Sequence, residues 1–205
     1  MWKKTFAIIL VCITSWKTAS YVYNLIRSKK KKKDVYTKVL FFPDTDVEYR
    51  SVFSNGRIVK SNNLRDDNSL GSLALHLLSA KRSIDVCVYI ITSHFLADVI
   101  VKCHEKRVKV RVFTDEDNTG EDRDLVHAQI GKFRRKGIPV RTHNSSFLMH
   151  HKFAIIDEKL VITGSLNWTL KALTGNHENV LITNEENAVK AYMNEFEKLW
   201  NTIKN

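Results

Sequence analysis

The stretch His150-His151-Lys152-Phe153-Ala154-Ile155-Ile156-Asp157-Glu158-Lys159-Leu160-Val161-Ile162-Thr163-Gly164-Ser165-Leu166-Asn167 decides the architecture of this chain. Two short apolar runs, Phe153-Ala154-Ile155-Ile156 and Leu160-Val161-Ile162, flank Asp157-Glu158-Lys159. Runs of that length on either side of a turn read as two buried strands joined by a hairpin. Side chains two apart share one face of a strand, so His150 and Lys152 point the same way. Gly164-Ser165 ends the second strand close to where the first begins. His150, Lys152, Ser165 and Asn167 therefore converge on one spot, in the spacing H-x-K-x4-D-x6-G-S-x-N.

That set of groups suits a phosphodiester. An imidazole titrates near neutrality and serves as nucleophile, base or acid. An ammonium neutralises a non-bridging phosphate oxygen. A hydroxyl and a carboxamide donate hydrogen bonds to the remaining oxygens, and Gly164 lets backbone come close. The candidate catalytic set is His150, Lys152, Asp157, Ser165 and Asn167. Within it Asp157 sits at the turn, where Asp commonly makes local hydrogen bonds, and reads as a brace for the hairpin. His151 alternates to the opposite face and reads as structural. No carboxylate cluster suited to two-metal catalysis occurs, so neither metal nor cofactor is expected.

The motif resembles the signature of the phospholipase D superfamily, whose members work through a covalent phosphohistidine. From about Val39 to Trp200 the chain resembles one branch, the Zucchini or mitochondrial cardiolipin hydrolase family. The resemblance rests on Val39-Leu40-Phe41-Phe42-Pro43, on the motif through Trp168-Thr169, and on Glu178-Asn179-Val180-Leu181-Ile182. It implies an endonuclease acting on single-stranded RNA in piRNA biogenesis, and a lipase that converts cardiolipin to phosphatidic acid. It also implies a homodimer at the mitochondrial outer membrane. Related enzymes use two copies of the motif per site, and this chain holds one. The resemblance further places Glu178 against the catalytic imidazole, where a carboxylate would fix the tautomer. Relatives carry a zinc-binding insertion of three Cys and one His. The corresponding residues 44–68 here hold neither, although Asn55-Gly56 suits a hairpin.

Two further residues are candidates for substrate binding. His143 ends a strand near the motif and is read either as a phosphate ligand or as a satisfied strand-end histidine. Trp168 follows Asn167 and is read either as a stacking platform for a base or as core.

The net charge of +11 suggests nucleic acid or an anionic membrane. Its distribution revises that reading. Residues 1–33 hold nine basic residues and no acid, so the remainder has 24 basic against 22 acidic groups. The body is nearly neutral, and any nucleic-acid groove must use local groups such as Arg134, Arg135, Lys136 and Arg141. Residues 5–26 are mostly apolar and long enough to span a bilayer, and five lysines at 29–33 form a stop signal. We expect residues 1–33 to be a membrane anchor, with a catalytic domain over residues 34–205 facing the cytosol. A cleaved secretory signal is the competing reading. Three cysteines, Cys12, Cys87 and Cys103, lack C-x-x-C spacing and read as small apolar residues.

In the body, strands are expected at 36–42, 84–91, 108–113, 138–142 and 178–183, besides the hairpin. Helices are expected at 69–81, from Ser93 through Cys103, at 122–136 closed by Gly137, and at 185–203. Alternating strands and helices give an α/β/α sandwich around a central mixed sheet, preceded by a transmembrane helix. Two other classes stay open. One is a catalytically inactive membrane-bound scaffold that binds phosphate or RNA. The other, if the front is cleaved, is a secreted nuclease.

Overall fold

A computed structural model of the chain describes residues 16, 18–21, 34–43, 53–54, 57–58, 66, 68–115, 123–143 and 145–202. The chain divides into two units, one ending at Asp34 and one spanning Val35–Asn205. Of the first, the described residues 16 and 18–21 are helical and Asp34 is not. The expected membrane span at 5–26 lies mainly outside the described residues. Among those described, no helix is long and apolar enough to cross a membrane.

The second unit is built on nine strands and five helices among its described residues. In chain order they are β1 (Thr37–Phe42), β2 (Phe53–Ser54), β3 (Arg57–Ile58), α1 (Ser69–Leu78), β4 (Ser83–Val88), α2 (His94–Glu105), β5 (Lys109–Asp115) and α3 (Arg123–Arg135). There follow β6 (Val140–His143), β7 (Lys152–Ile156), β8 (Leu160–Gly164), α4 (Leu170–Thr174), β9 (Glu178–Thr183) and α5 (Glu186–Thr202). β2 and β3 pair antiparallel on either side of Asn55-Gly56.

Seven strands form one mixed sheet in the order β1-β9-β8-β7-β4-β5-β6. β4, β5 and β6 run parallel, and every other neighbouring pair is antiparallel. The consequence for function is geometric. The carboxyl ends of β1, β4, β5, β6 and β8 and the amino ends of β7 and β9 all lie along one edge. Open sheets with parallel strands bind ligands at that kind of edge.

Both faces of the sheet are covered, which makes the α/β/α layering. On one face Ile84, Val86, Ala154, Ile156, Ile162 and Val180 pack against Leu73, Leu77, Phe95, Leu96 and Ile100 of α1 and α2, with Leu173 of α4. On the other, Cys87, Phe113, Phe153, Ile155 and Val161 pack against Val189 and Phe196 of α5. The alternation Lys152, Ala154, Ile156 against Phe153, Ile155 follows the two-residue period of a strand. Each large apolar side chain buried this way contributes about 1.5–3 kcal/mol.

Local chemistry sets the element ends. Asn68 caps α1, accepting the Gly71 N–H at 2.6 Å, and the Ser93 hydroxyl caps α2 by accepting Leu96 N–H at 3.3 Å. α3 ends where Gly137 adopts φ 79° and the Ile138 N–H reaches back to Phe133 O at 3.0 Å. The short helix α4 has no counterpart in the periodicity of the sequence. β5 runs two residues past its expected end, to Asp115, and β8 runs through Gly164. Of the local basic groups, Lys136 pairs with Glu105 and the Arg141 guanidinium donates to Trp200 O and lies over the Trp200 ring. Those two are engaged within the fold.

Candidate active site

The site is assembled where the chain enters β7. Met149 is buried, and its N–H donates to Asp115 Oδ2 at 2.9 Å. His150 follows, exposed, and Lys152 begins the strand. The Lys152 ammonium donates to His150 O at 2.7 Å. It also lies over the Tyr89 ring, 5.1 Å from its centre. The same ring meets the His150 imidazole at 4.8 Å between centroids. Tyr89 arrives from the end of β4, and its N–H donates to His151 O at 2.8 Å.

A depression of about 370 Å³ opens beside these groups, lined by His143, Leu148, Met149, His150, His151 and Leu199. The Asp115 carboxylate is 2% exposed and lies 3.5 Å from His143 Nδ1. His151 is turned to Glu195, with 3.4 Å between Nε2 and Oε1.

The second motif segment comes from β8 and β9. Gly164 pairs with Val180, and an added Cβ would stand 2.0 Å from Asn179 O. Only glycine permits that approach. Ser165 then donates its hydroxyl proton to Glu178 Oε2 and accepts the Asn179 N–H at 3.1 Å. Asn176 donates to the other Glu178 oxygen at 3.2 Å. The Asn167 carboxamide oxygen is buried with no hydrogen-bond partner among the described residues.

These contacts set the protonation states. Partial burial holds the His150 imidazole below its ordinary value, and the Lys152 and His151 charges add to that. The Asp115 carboxylate opposes it. His150 thus favours the neutral form, which carries the free lone pair a nucleophile needs. Burial likewise lowers Lys152, with Glu178 opposing.

Comparison with known proteins gives the family. A family described as "Cardiolipin synthase, PLD-like domain" matches residues 73–200. The mitochondrial cardiolipin hydrolase of Xenopus laevis is 38% identical over 191 residues, covering 90% of this chain and 89% of its own. That of Chlamydomonas reinhardtii is 37% identical over 172 residues, covering 82% and 74%. The chain belongs to the mitochondrial cardiolipin hydrolase family. The fold of this family member also matches a phospholipase D family member, Nuc from Salmonella typhimurium. The TM-score is 0.65 at 25% identity, covering 82% of this chain and 95% of that one. NucT from Helicobacter pylori matches with a TM-score of 0.58 at 22% identity, over 81% and 97%.

As a member of this family the chain is a phospholipase D-type phosphodiesterase. The structure brings His150, Lys152, Ser165, Glu178 and His143 to one edge of the sheet, with Asn167 two residues past Ser165. It does not bring Asp157 there. Asp157 sits at the far end of β7, and its carboxylate accepts the N–H groups of Lys81, Arg82 and Ser83 at 3.0, 2.6 and 2.9 Å. Burial pushes that carboxyl up, but the three amides outweigh it and hold it below the usual range. Asp157 is therefore withdrawn from the catalytic set. Trp168 is also corrected. It is 3% exposed, packed in the core and bridged to Ile91, so its ring offers no base a platform. Glu178 meets Ser165 and Asn176, not the imidazole of its own chain.

Two residues of the hydrolase escaped the sequence reading. Tyr89 is the one aromatic residue in its apolar run, and it sits at the strand's end; Asp115 is the acid that ends β5. Each sits at the carboxyl end of a parallel strand, which is the signal that could have found them.

Proposed function

We propose that this chain is a metal-independent phosphodiesterase that works as a homodimer through a phosphohistidine. His150 of one subunit attacks phosphorus, forming a P–N bond as the P–O bond to the leaving group breaks. His150 of the second copy, protonated, gives its proton to the leaving oxygen. The resulting neutral imidazole then takes a proton from water, whose oxygen attacks phosphorus and releases the first His150. Lys152 balances charge on the non-bridging oxygens, and Glu178 orients Ser165 and, through it, the strand end. The observation that carries this reading is the single His150–Lys152 pair: an exposed imidazole biased to neutral beside a half-buried ammonium, with one copy of the motif in the sequence to supply both nucleophile and acid.

We take the substrate to be cardiolipin, cleaved to phosphatidic acid at the mitochondrial outer membrane, with the catalytic domain facing the cytosol. The names of the relatives support this choice. The depression is of a size for a phosphodiester headgroup and not for acyl chains, so the chains would stay in the bilayer beside a membrane-anchored enzyme. Single-stranded RNA, in piRNA biogenesis, is the second reading. It is supported by the openness of the same depression, past which a phosphodiester backbone can run.

The test is parallel turnover of the purified full chain on cardiolipin vesicles and on single-stranded RNA, beside its His150→Asn variant. Phosphatidic acid release that disappears in the variant is the expected result. Cleavage of RNA alone moves the assignment to a nuclease. Turnover by His150→Asn above a few per cent removes His150 from the nucleophile role.

A further inference from the structure

We propose that Tyr89 is a positioning residue for this reaction, its ring holding the His150 imidazole and the Lys152 ammonium in one fixed mutual geometry. The proposal rests on the reading of His150 as nucleophile and Lys152 as phosphate ligand.

The backbone under Tyr89 is pinned from both sides. The regular pairing of β4 with β7 ends at Val88 opposite Lys152. One residue further, the Tyr89 N–H donates to His151 O at 2.8 Å, so Tyr89 stands opposite the middle of His150-His151-Lys152. On its other side, Tyr89 O accepts the Asp115 N–H at 3.4 Å and the Thr114 hydroxyl at 3.2 Å. The ring is thus carried by the sheet and not by a loop, which is the more precise kind of support.

Its contacts are those a positioning group needs. Lysine has a flexible four-carbon stem and a point charge, so an ammonium in an open site must be held by something. Here the hold is His150 O and the negative face of the Tyr89 ring. The imidazole meets the same ring tilted by 48°. Tyr89 is half-buried and belongs to neither core cluster. A misplacement of either group by about 1 Å is enough to cost on the order of a hundredfold in rate.

The role lies in the ring face, so Tyr89→Phe and Tyr89→Leu should separate. The full chain is assayed on bis(p-nitrophenyl) phosphate across pH, and the His150 imidazole is titrated by NMR, its signal assigned with His150→Asn. We expect Tyr89→Phe to keep kcat within about threefold. Tyr89→Leu should lose at least about tenfold in kcat with KM changed less than about threefold. In Tyr89→Leu the His150 titration should also move up toward the ordinary histidine value, because shielding and the fixed ammonium are both lost. Thermal melting guards against an unfolded Leu variant; if it does not fold, Tyr89→Met repeats the test without a ring. A Leu or Met variant with wild-type kcat and an unmoved His150 titration overturns the proposal. So does a Phe variant as damaged as Leu, which would put the role in the hydroxyl. A wild-type chain inert toward this diester, cardiolipin and single-stranded RNA alike sinks the reading of His150 as nucleophile, yet the NMR comparison still decides whether Tyr89 holds the imidazole.

Discussion

His150 carries a charge state that can be read from outside the molecule. Partial burial and the neighbouring Lys152 hold its imidazole below the ordinary histidine value of 6.5. A histidine lowered in this way stays neutral as pH falls past 6.5 and gains its proton only further down. The acid limb of kcat/KM reports the free enzyme, so it should lie below pH 6.5, with activity retained at 6.5 and lost beneath it. An acid limb at or above 6.5 would refute the assignment of that limb to His150. At this scale the sequence was legible wherever function follows from strand parity. His150 and Lys152 belong together because residues two apart share a face, and Ser165 joins them because the hairpin returns. Tyr89 and Asp115 were not legible, since what places them beside His150 is the register of β4 with β7 and with β5. That register joins residues some 60 positions apart, such as Val88 and Lys152, and leaves no local pattern. Trp168 kept two readings, platform or core, because a bulky aromatic beside a motif looks the same in sequence whether its ring points in or out.

Elements depend on a few close approaches of backbone to backbone. At Gly164 a methyl group would stand 2.0 Å from Asn179 O, which belongs to the main chain of β9 and cannot swing aside. Gly164→Ala must therefore push β8 and β9 apart at the residue that leads into Ser165. We expect it to destabilise the protein by about 2–4 kcal/mol, read as a lower urea midpoint. An unchanged midpoint would show that the strands yield. The same residue shows why element ends were harder to read than element types. Glycine inside a strand pattern usually marks a break, and Gly164-Ser165 reads as the end of the second hairpin strand; the structure adds that Gly164 itself still pairs, with Val180. The ends of α2 and α3 were legible because Ser93 and Gly137 have specific cap chemistry. α4, with five residues, is too short to show a helical period.

The molecule as a whole presents one copy of the motif on one edge of one sheet. In the mechanism proposed, that edge must meet its own image, and isologous symmetry would bring two His150 side chains together. Mixing wild-type subunits with an excess of His150→Asn subunits should then poison the wild type, because each mixed dimer has one competent histidine. Mixed populations that keep activity in proportion to wild-type content would rule out a shared site. Fold class was legible from the alternation of strand and helix, which demands helices on both faces of a sheet. Strand order was not. Nothing local tells β7 to run antiparallel against β4, and it is this reversal that sets a strand's beginning beside a strand's end and so makes the site.

Asp157 has a consequence for the route by which the chain reaches its native state. Its carboxylate holds the amides of Lys81, Arg82 and Ser83, between 74 and 76 residues earlier in the chain. The turn it sits in is an unfavourable one to form alone, since Asp157 and Glu158 both take positive φ, 54° and 58°. The hairpin that bears the motif is therefore a poor independent nucleus. It gains its anchor only after closure of a loop of 74 to 76 residues, so the contact is of high order and its assembly belongs to the slow, late part of folding. A nascent chain would complete its helices α1 and α2 first, and become an enzyme last.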